Sequence, residues 1–438
     1  MSKNYQQPLV AIVGRPNVGK STFFNRLIGR RQAIESEIPR TTRDRLYSEV
    51  NWCGKDFILI DTAGLLEKDK KDDLVAITRS SVQIAIEEAD IIIFLIDAKS
   101  GTAAYDREIA KKLHKTKKPV FLIANKADNS KREIITREML SLGFGKPNFV
   151  SAISGRRVAD FLDKLTLNLR FNKSETPDKY INVAIIGRPN VGKSTLLNTL
   201  VGKEKVIVSE SPGTTRDAID AIINFAGQKI RIVDTAGIRR RGKIDQGVEK
   251  ISTIRALKII RNCSVGIILI DGTQGITNQD AHLAGFTKEQ GKSIILAVNK
   301  IDNWPEDLKK EKITKTISDL QNKLAFLPFA PVIFISAKEN INTKVLLKKI
   351  IEVYSTRFIL IPESGQKILI SRIRDGNQQL SEILKFWQEK INPPVFKITV
   401  KNKKRFHFSH LRYLENCVRD YYPFLGTPIF IDLVSPRN

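Results

Sequence analysis

Nine residues of this chain occur twice, letter for letter, and their types at their spacing are those that hold phosphate. Gly14-Arg15-Pro16-Asn17-Val18-Gly19-Lys20-Ser21-Thr22 returns 173 residues later as Gly187-Arg188-Pro189-Asn190-Val191-Gly192-Lys193-Ser194-Thr195. Gly-x-x-x-x-Gly-Lys-Ser is a phosphate-binding loop. Its glycines let successive backbone N–H groups turn inward around the phosphates, and the helix that follows adds its positive end. Lys20 and Lys193 are expected to reach the β- and γ-phosphates, and the hydroxyls of Ser21 and Ser194 to ligate Mg²⁺. The same offset carries Asp61-Thr62-Ala63-Gly64-Leu65 onto Asp234-Thr235-Ala236-Gly237-Ile238. Asp61 and Asp234 are expected to hold Mg²⁺ through water, and the Gly64 and Gly237 N–H groups to sense the γ-phosphate. Between these motifs Thr42 and Thr215, in preference to Thr41 and Thr214, are placed to complete the metal shell when a triphosphate is bound.

A third pair selects the base. Asn125-Lys126-Ala127-Asp128 returns at an offset of 174 as Asn299-Lys300-Ile301-Asp302. A carboxylate at Asp128 or Asp302 accepts hydrogen bonds from guanine N1–H and the 2-amino group. Adenine offers neither at that edge, so an unpaired buried carboxylate rejects it. Lys126 and Lys300 are expected to cover the ring face, and Ser151-Ala152 and Ser336-Ala337 to form a loop that supports the base. The chain therefore reads as two copies of one guanine-nucleotide machine, taking GTP or GDP with Mg²⁺. Lys20, Thr42, Gly64, Lys193, Thr215 and Gly237 are its expected catalytic set.

Such motifs must be positioned by strands. Short runs rich in Ile and Val alternate with helix-like stretches: Leu9 to Val13, Phe57 to Ile60, Ile91 to Ile96, Val120 to Ala124 and Phe149 to Val150. The second copy answers with Ile181 to Ile186, Ile230 to Val233, Val265 to Ile270, Ile294 to Val298 and Val332 to Ile335. These read as buried parallel strands of α/β units. Each motif begins at the carboxyl end of a run, the edge where open α/β sheets bind ligands. Past a boundary near Glu352 to Pro362 the pattern becomes helix (Glu363 to Arg374), two strands (Glu382 to Gln388, Val395 to Lys401), helix (Ser409 to Tyr422) and strand (Pro428 to Leu433). The expected fold is α/β. Two tandem phosphate-loop domains, each a mostly parallel sheet with helices on both faces, occupy 1–167 and 181–352. A linker at 168–180 joins them, and a small α+β module follows at 353–438.

The 438 residues are 42% hydrophobic, enough to build cores. The N-terminus lacks an apolar secretory segment and no run spans a bilayer, so a cytoplasmic protein without membrane association is expected. Cys53, Cys263 and Cys417 have neither metal nor redox spacing and read as buried apolar residues. The net charge of +26 points to a polyanionic partner. Residues 352–438 hold 14 Lys and Arg against 8 Asp and Glu, so most of the excess lies in the two nucleotide copies.

With the motifs in this order, the chain resembles the double-Era-like GTPases, the Der (EngA) family. The likeness covers nearly the whole length. It is closest at Asp234-Thr-Ala-Gly-Ile-Arg-Arg-Arg-Gly-Lys243 and His407-Phe-Ser-His-Leu-Arg-Tyr-Leu-Glu-Asn416. The resemblance implies GTP hydrolysis coupled to large ribosomal subunit assembly, with ribosomal RNA and large-subunit particles as partners and a KH-like third domain. A monomer is expected. A tRNA-modification GTPase is the second reading, but its folate-binding domain and C-terminal Cys are absent. A GTP-gated scaffold without useful hydrolysis is the third. Leu65 and Ile238 stand where Ras-like GTPases place a water-orienting Gln. Relatives in the wider family recruit K⁺ through the loop asparagine, which Asn17 and Asn190 match; bracing of the loop turn is the alternative role. Arg40 replaces the usual Gly of the first switch, and Ala63 the first Gly of the usual Asp-Thr-Gly-Gly. The third domain lacks a Gly-x-x-Gly loop. Lys401, Lys403, Lys404 and Arg405 are its phosphate candidates, Phe406, Phe408, Tyr413 and Tyr421 read as core before base platforms, and His407 with His410 as surface or capping residues before metal ligands.

Overall fold

Strands covered on both faces read in sequence as unbroken apolar runs, and both nucleotide copies are built on them. The structure, a computed structural model, describes residues 7–29, 47–53, 55–62, 82–83, 85–128, 136–169, 180–202, 221–233, 249–376, 380, 383–400, 406 and 408–435. In the first copy the elements are β1 (Leu9–Val13), α1 (Lys20–Gly29), β2 (Tyr47–Trp52), β3 (Lys55–Asp61), β4 (Ile91–Asp97), α2 (Ala104–His114), β5 (Val120–Asn125), α3 (Thr136–Leu140), β6 (Asn148–Phe149) and α4 (Val158–Leu167). The sheet order is β2-β3-β1-β4-β5-β6, parallel except where β2 runs against β3. Alternate residues of β1 serve opposite cores. Val10 and Ile12 pack with Phe23 and Leu27 of α1 and Phe161 of α4, while Ala11 and Val13 pack with Ile109 and Leu113 of α2.

The second copy repeats this plan. Its elements are β7 (Ile181–Ile186), α5 (Lys193–Val201), β8 (Ala221–Phe225), β9 (Gln228–Ile232), α6 (Glu249–Asn262), β10 (Val265–Asp271), α7 (Asn278–Glu289), β11 (Ser293–Asn299), α8 (Lys309–Lys323), β12 (Val332–Phe334) and α9 (Thr343–Thr356). The order β8-β9-β7-β10-β11-β12 is that of the first sheet.

The edge strands β2 and β8 were not expected. Both belong to hairpins, antiparallel to the parallel core, and β2 alternates buried Val50 with exposed Asn51 instead of forming a run. The available signal was the turn. Ala226 (φ +48°) and Gly227 (φ +76°) are both left-handed, as a two-residue hairpin requires. Cys53 (φ +50°) occupies the corresponding turn in the first copy and is exposed. Of the three cysteines only Cys263 is buried, and burial pushes its thiol up to about 11.

The third module follows the expected order: α10 (Glu363–Gly376), β13 (Ile383–Lys390), β14 (Val395–Val400), α11 (Phe408–Tyr421) and β15 (Phe430–Val434). β14 is central, antiparallel to β13 and parallel to β15. Its core joins Leu369, Ile373, Leu414 and Val418 to Phe396, which stacks on Phe386 at 5.3 Å between ring centroids. Phe406 and Tyr413 pack against this core, as expected for aromatics at that spacing. Tyr421 is 36% exposed and lies under the Arg372 guanidinium, 4.7 Å from its ring centroid. Lys401, Lys403, Lys404, Arg405 and His407 lie outside the described residues.

By internal contacts the chain divides into two units. One takes in Lys3–Ser174 with Gly247–Lys258, the other Glu175–Gln246 with Ile259–Asn438. The third module thus belongs to the second copy's unit. Its Gly426 carbonyl accepts from Ile294 N at 2.7 Å, and the Thr427 hydroxyl meets Ser293 Oγ at 2.7 Å. Arg357, 4% exposed, donates through Nη1 to Ser264 O, Gly291 O and Ser293 Oγ. Among the described residues, no helix is long and apolar enough to cross a membrane.

Candidate nucleotide-binding sites

The phosphate loop of the first copy leaves β1 at Gly14 and enters α1 at Lys20. Its shape depends on its glycines. Gly19 has φ +91°, and a Cβ there would lie 2.5 Å from Asn125 Nδ2. Gly192 has φ +99°, with Asn299 Nδ2 at 2.3 Å from the same position. Asn17 (φ +65°) and Asn190 (φ +63°) take the left-handed conformation that asparagine tolerates best among residues with a side chain. That conformation suits the turn-bracing role expected of them.

Lys20 Nζ donates to Gly14 O at 2.9 Å and Arg15 O at 2.8 Å, so the ammonium sits inside the loop it is expected to serve. It is 5% exposed. Burial lowers its pKa to about 8, against the opposing pull of Asp61 and Asp106. Lys193 Nζ makes the same bond to Gly187 O at 2.7 Å and a second to Arg188 O. A cation stripped of water and held on carbonyls is poised for phosphate oxygens.

The base motifs are tied to the phosphate loops by the same bonds in each copy. Asn125 Nδ2 donates to Val18 O at 2.9 Å and its Oδ1 accepts from Ala152 N at 3.0 Å. Asn299 does so with Val191 O at 2.8 Å and Ala337 N at 2.9 Å. Lys126 and Lys300 share φ +67°, a turn that sends the preceding Asn toward the phosphate loop and the following Asp toward the base loop. Ser151 Oγ donates to Asp128 Oδ1 at 2.8 Å. Asp302 Oδ1 is buried and has no hydrogen-bond partner among the described residues, as suits a carboxylate meant for donors of a ligand.

The structure adds two carboxylates in each copy that the motif reading missed. Asp97 closes β4 and receives Lys126 Nζ at 2.7 Å; Asp271 closes β10 and receives Lys300 Nζ at 2.6 Å. Burial opposes the charge of Asp97, but the Lys126 and backbone hydrogen bonds outweigh it and hold the carboxyl below its ordinary range. The balance at Asp271 is the same, with Lys300 and Thr273 as donors. Asp106 and Asp280 form ion pairs with the loop arginines, Arg15 and Arg188. All four obey the offset of 174, so superposing the two copies of the sequence would have found them.

Metal donors are partly in view. Asp61 ends β3, 1% exposed and in register with Ile12 of β1, and the Thr62 hydroxyl is fixed on Ile12 O at 2.7 Å. Ser21 and Ser194 open α1 and α5 directly after the loop lysines. Among the described residues no cluster of three His, Cys, Asp or Glu could hold a metal. Hydroxyl and carboxylate oxygens fit a hard cation that arrives with phosphate oxygens completing its shell. Thr42, Thr215, Ala63, Gly64, Leu65, Asp234, Thr235, Ala236, Gly237, Ile238 and Arg40 lie outside the described residues.

Two phosphate-loop motifs at the carboxyl ends of two parallel sheets, each tied by hydrogen bonds to its Asn-Lys-x-Asp motif, are those of a tandem G-domain GTPase. Residues 9–126 and 182–300 match the family of the 50S ribosome-binding GTPase, and residues 361–433 the KH-domain-like C-terminal domain of EngA bacterial GTPase enzymes. The chain is 42% identical over 444 residues to GTPase Der of Chloroflexus aggregans, with 97% of each chain covered. It is 42% identical over 438 residues to that of Desulforamulus reducens and 41% over 430 to that of Alkaliphilus metalliredigens, again with 97% of each chain covered. The chain belongs to the GTPase Der family.

Proposed function

We propose that this chain is a GTP-dependent switch in large ribosomal subunit assembly, binding ribosomal RNA and large-subunit particles in its GTP form. The carrying observation is the joining of a second G domain to a KH-like module in one unit of a molecule with net charge +26. KH-type modules recognise RNA. The match of both G domains to the family of the 50S ribosome-binding GTPase favours the same partner.

Lys20 and Lys193 leave their loop carbonyls for the β- and γ-phosphates, while loop N–H groups surround the phosphates. Asp128 and Asp302 read guanine, with Ser151-Ala152 and Ser336-Ala337 supporting the base. Ser21, Thr42 and Asp61 in the first copy, and Ser194, Thr215 and Asp234 in the second, are the residues that would hold Mg²⁺; Asn17 and Asn190 would hold K⁺. When bound, these cations offset the charge that develops between the phosphates. Gly64 and Gly237 signal the γ-phosphate to the segments that follow, which in the second copy carry Arg239, Arg240, Arg241 and Lys243.

Gradient sedimentation with ribosomal particles tests the reading. More protein should co-migrate with a non-hydrolysable GTP analogue than with GDP. Neutralisation of roughly 6–10 phosphates would weaken binding by about 10³–10⁵ between 50 and 200 mM salt. Equal co-migration in both nucleotide states, or none in either, would reduce the charge to a solubility feature.

A further inference from the structure

An arginine inside a phosphate loop invites assignment as a phosphate ligand, yet in both copies its charge is directed elsewhere. Arg15 Nε lies 3.1 Å from Asp106 Oδ2, and its Nη2 donates to Ser100 Oγ at 2.5 Å and Gly101 O at 3.3 Å. Arg188 Nε lies 3.1 Å from both carboxylate oxygens of Asp280, and its Nη1 donates to Gln274 Oε1 at 3.2 Å. The two carboxylates paired with these arginines have completely buried side chains. Each also accepts from the backbone N–H that starts its helix, from Ala103 N at 2.9 Å and Thr277 N at 3.0 Å, so it cannot swing away.

We infer that Arg15–Asp106 and Arg188–Asp280 are clamps that fix the phosphate loop to the segment after β4 or β10, making both arginines positioning residues for nucleotide phosphates. The residue so anchored also supplies the carbonyl on which the loop lysine rests: Arg15 O for Lys20 and Arg188 O for Lys193. A loop held in its binding shape beforehand spares the phosphates the cost of ordering it. Such a clamp acts alike on ground and transition states, so its loss raises KM and leaves kcat nearly intact. A direct phosphate contact that strengthens in the transition state behaves oppositely.

The test uses the full chain carrying Lys20→Ala, so that binding and turnover report the second copy. Arg188→Ala and Arg188→Lys should each weaken GDP and raise the KM for GTP by about tenfold with kcat within about twofold, because a lysine cannot reproduce the planar fork. Asp280→Asn keeps a carbonyl for Thr277 N but loses the charge. Adding it to Arg188→Ala should cost nothing further, the signature of a coupled pair. Guanosine, which has no phosphate, should bind all variants equally. Wild-type affinity in Arg188→Lys, a fall in kcat at unchanged KM, additive losses in the double variant, or a parallel loss for guanosine would each overturn the clamp.

Discussion

At the scale of single residues, the site separates groups that wait for a ligand from groups that hold the waiting ones still. Asp302 is of the first kind, with a buried oxygen lacking any partner among the described residues. Replacing it with Asn presents an amide donor to guanine's own donors. Asp302→Asn should therefore weaken GTP at the second copy by about 1–3 kcal/mol and favour xanthosine triphosphate; calorimetry showing normal GTP binding would refute the base-reading role. Asn190 is of the second kind by its backbone, φ +63°. Since Ile238 offers water no hydrogen bond, hydrolysis by the second copy should rise when K⁺ replaces Na⁺, and Asn190→Ala should abolish that rise. Phosphate release at equal rates in both salts would leave Asn190 a turn residue only.

At the scale of elements, each strand delivers its motif at its carboxyl end, and the loops between are fixed by cross-bonds. One tight passage is where the last loop glycine meets the base-motif asparagine. Gly192→Ala would place a Cβ on Asn299 Nδ2 and in a left-handed backbone, a strain of about 1–3 kcal/mol before any neighbour moves. Because Asn299 holds Val191 O and Ala337 N together, the strain spreads from phosphate site to base site. The Gly192→Ala protein should keep its overall fold by circular dichroism and lose nucleotide binding at the second copy. Retained binding there would show that Asn299 yields without consequence.

At the scale of the whole molecule, the third module is joined to the second G domain by buried polar bonds. Arg357 supplies three of them from one guanidinium nitrogen, and the Arg419 guanidinium crosses the joint to lie 4.1 Å from the Phe329 ring centroid. A joint of this kind couples the second G domain to the KH-like module through packed polar groups. Arg357→Ala leaves buried acceptors without their charged donor, a loss of about 3 kcal/mol. Urea titration should show it as a lower midpoint for the unit holding Arg357, with the other unit's transition unmoved. A shift in neither would show that water replaces the guanidinium at no cost.

The motifs and the sheet ends that carry them were legible in the sequence because phosphate, metal and guanine chemistry each demand fixed residue types at fixed spacing, and because the chain states the pattern twice. Lys20, Asn125, Asp128 and their counterparts stand at the sheet ends that the apolar runs implied. The α-β-β-α-β order of the third module was legible too, since helix and strand periodicities differ. Pairings between distant segments were not. Nothing local marks Asp97 as the partner of Lys126, or Asp106 as that of Arg15, because each pair is brought together by neighbouring strand ends of one parallel sheet. The antiparallel edge β2 escaped because a half-solvated edge strand needs no apolar run. That the third module shares a unit with the second G domain was decided by tertiary structure alone: the bonds among Ser293, Arg357 and Thr427 link residues up to 134 positions apart, and only close packing makes buried polar groups find one another.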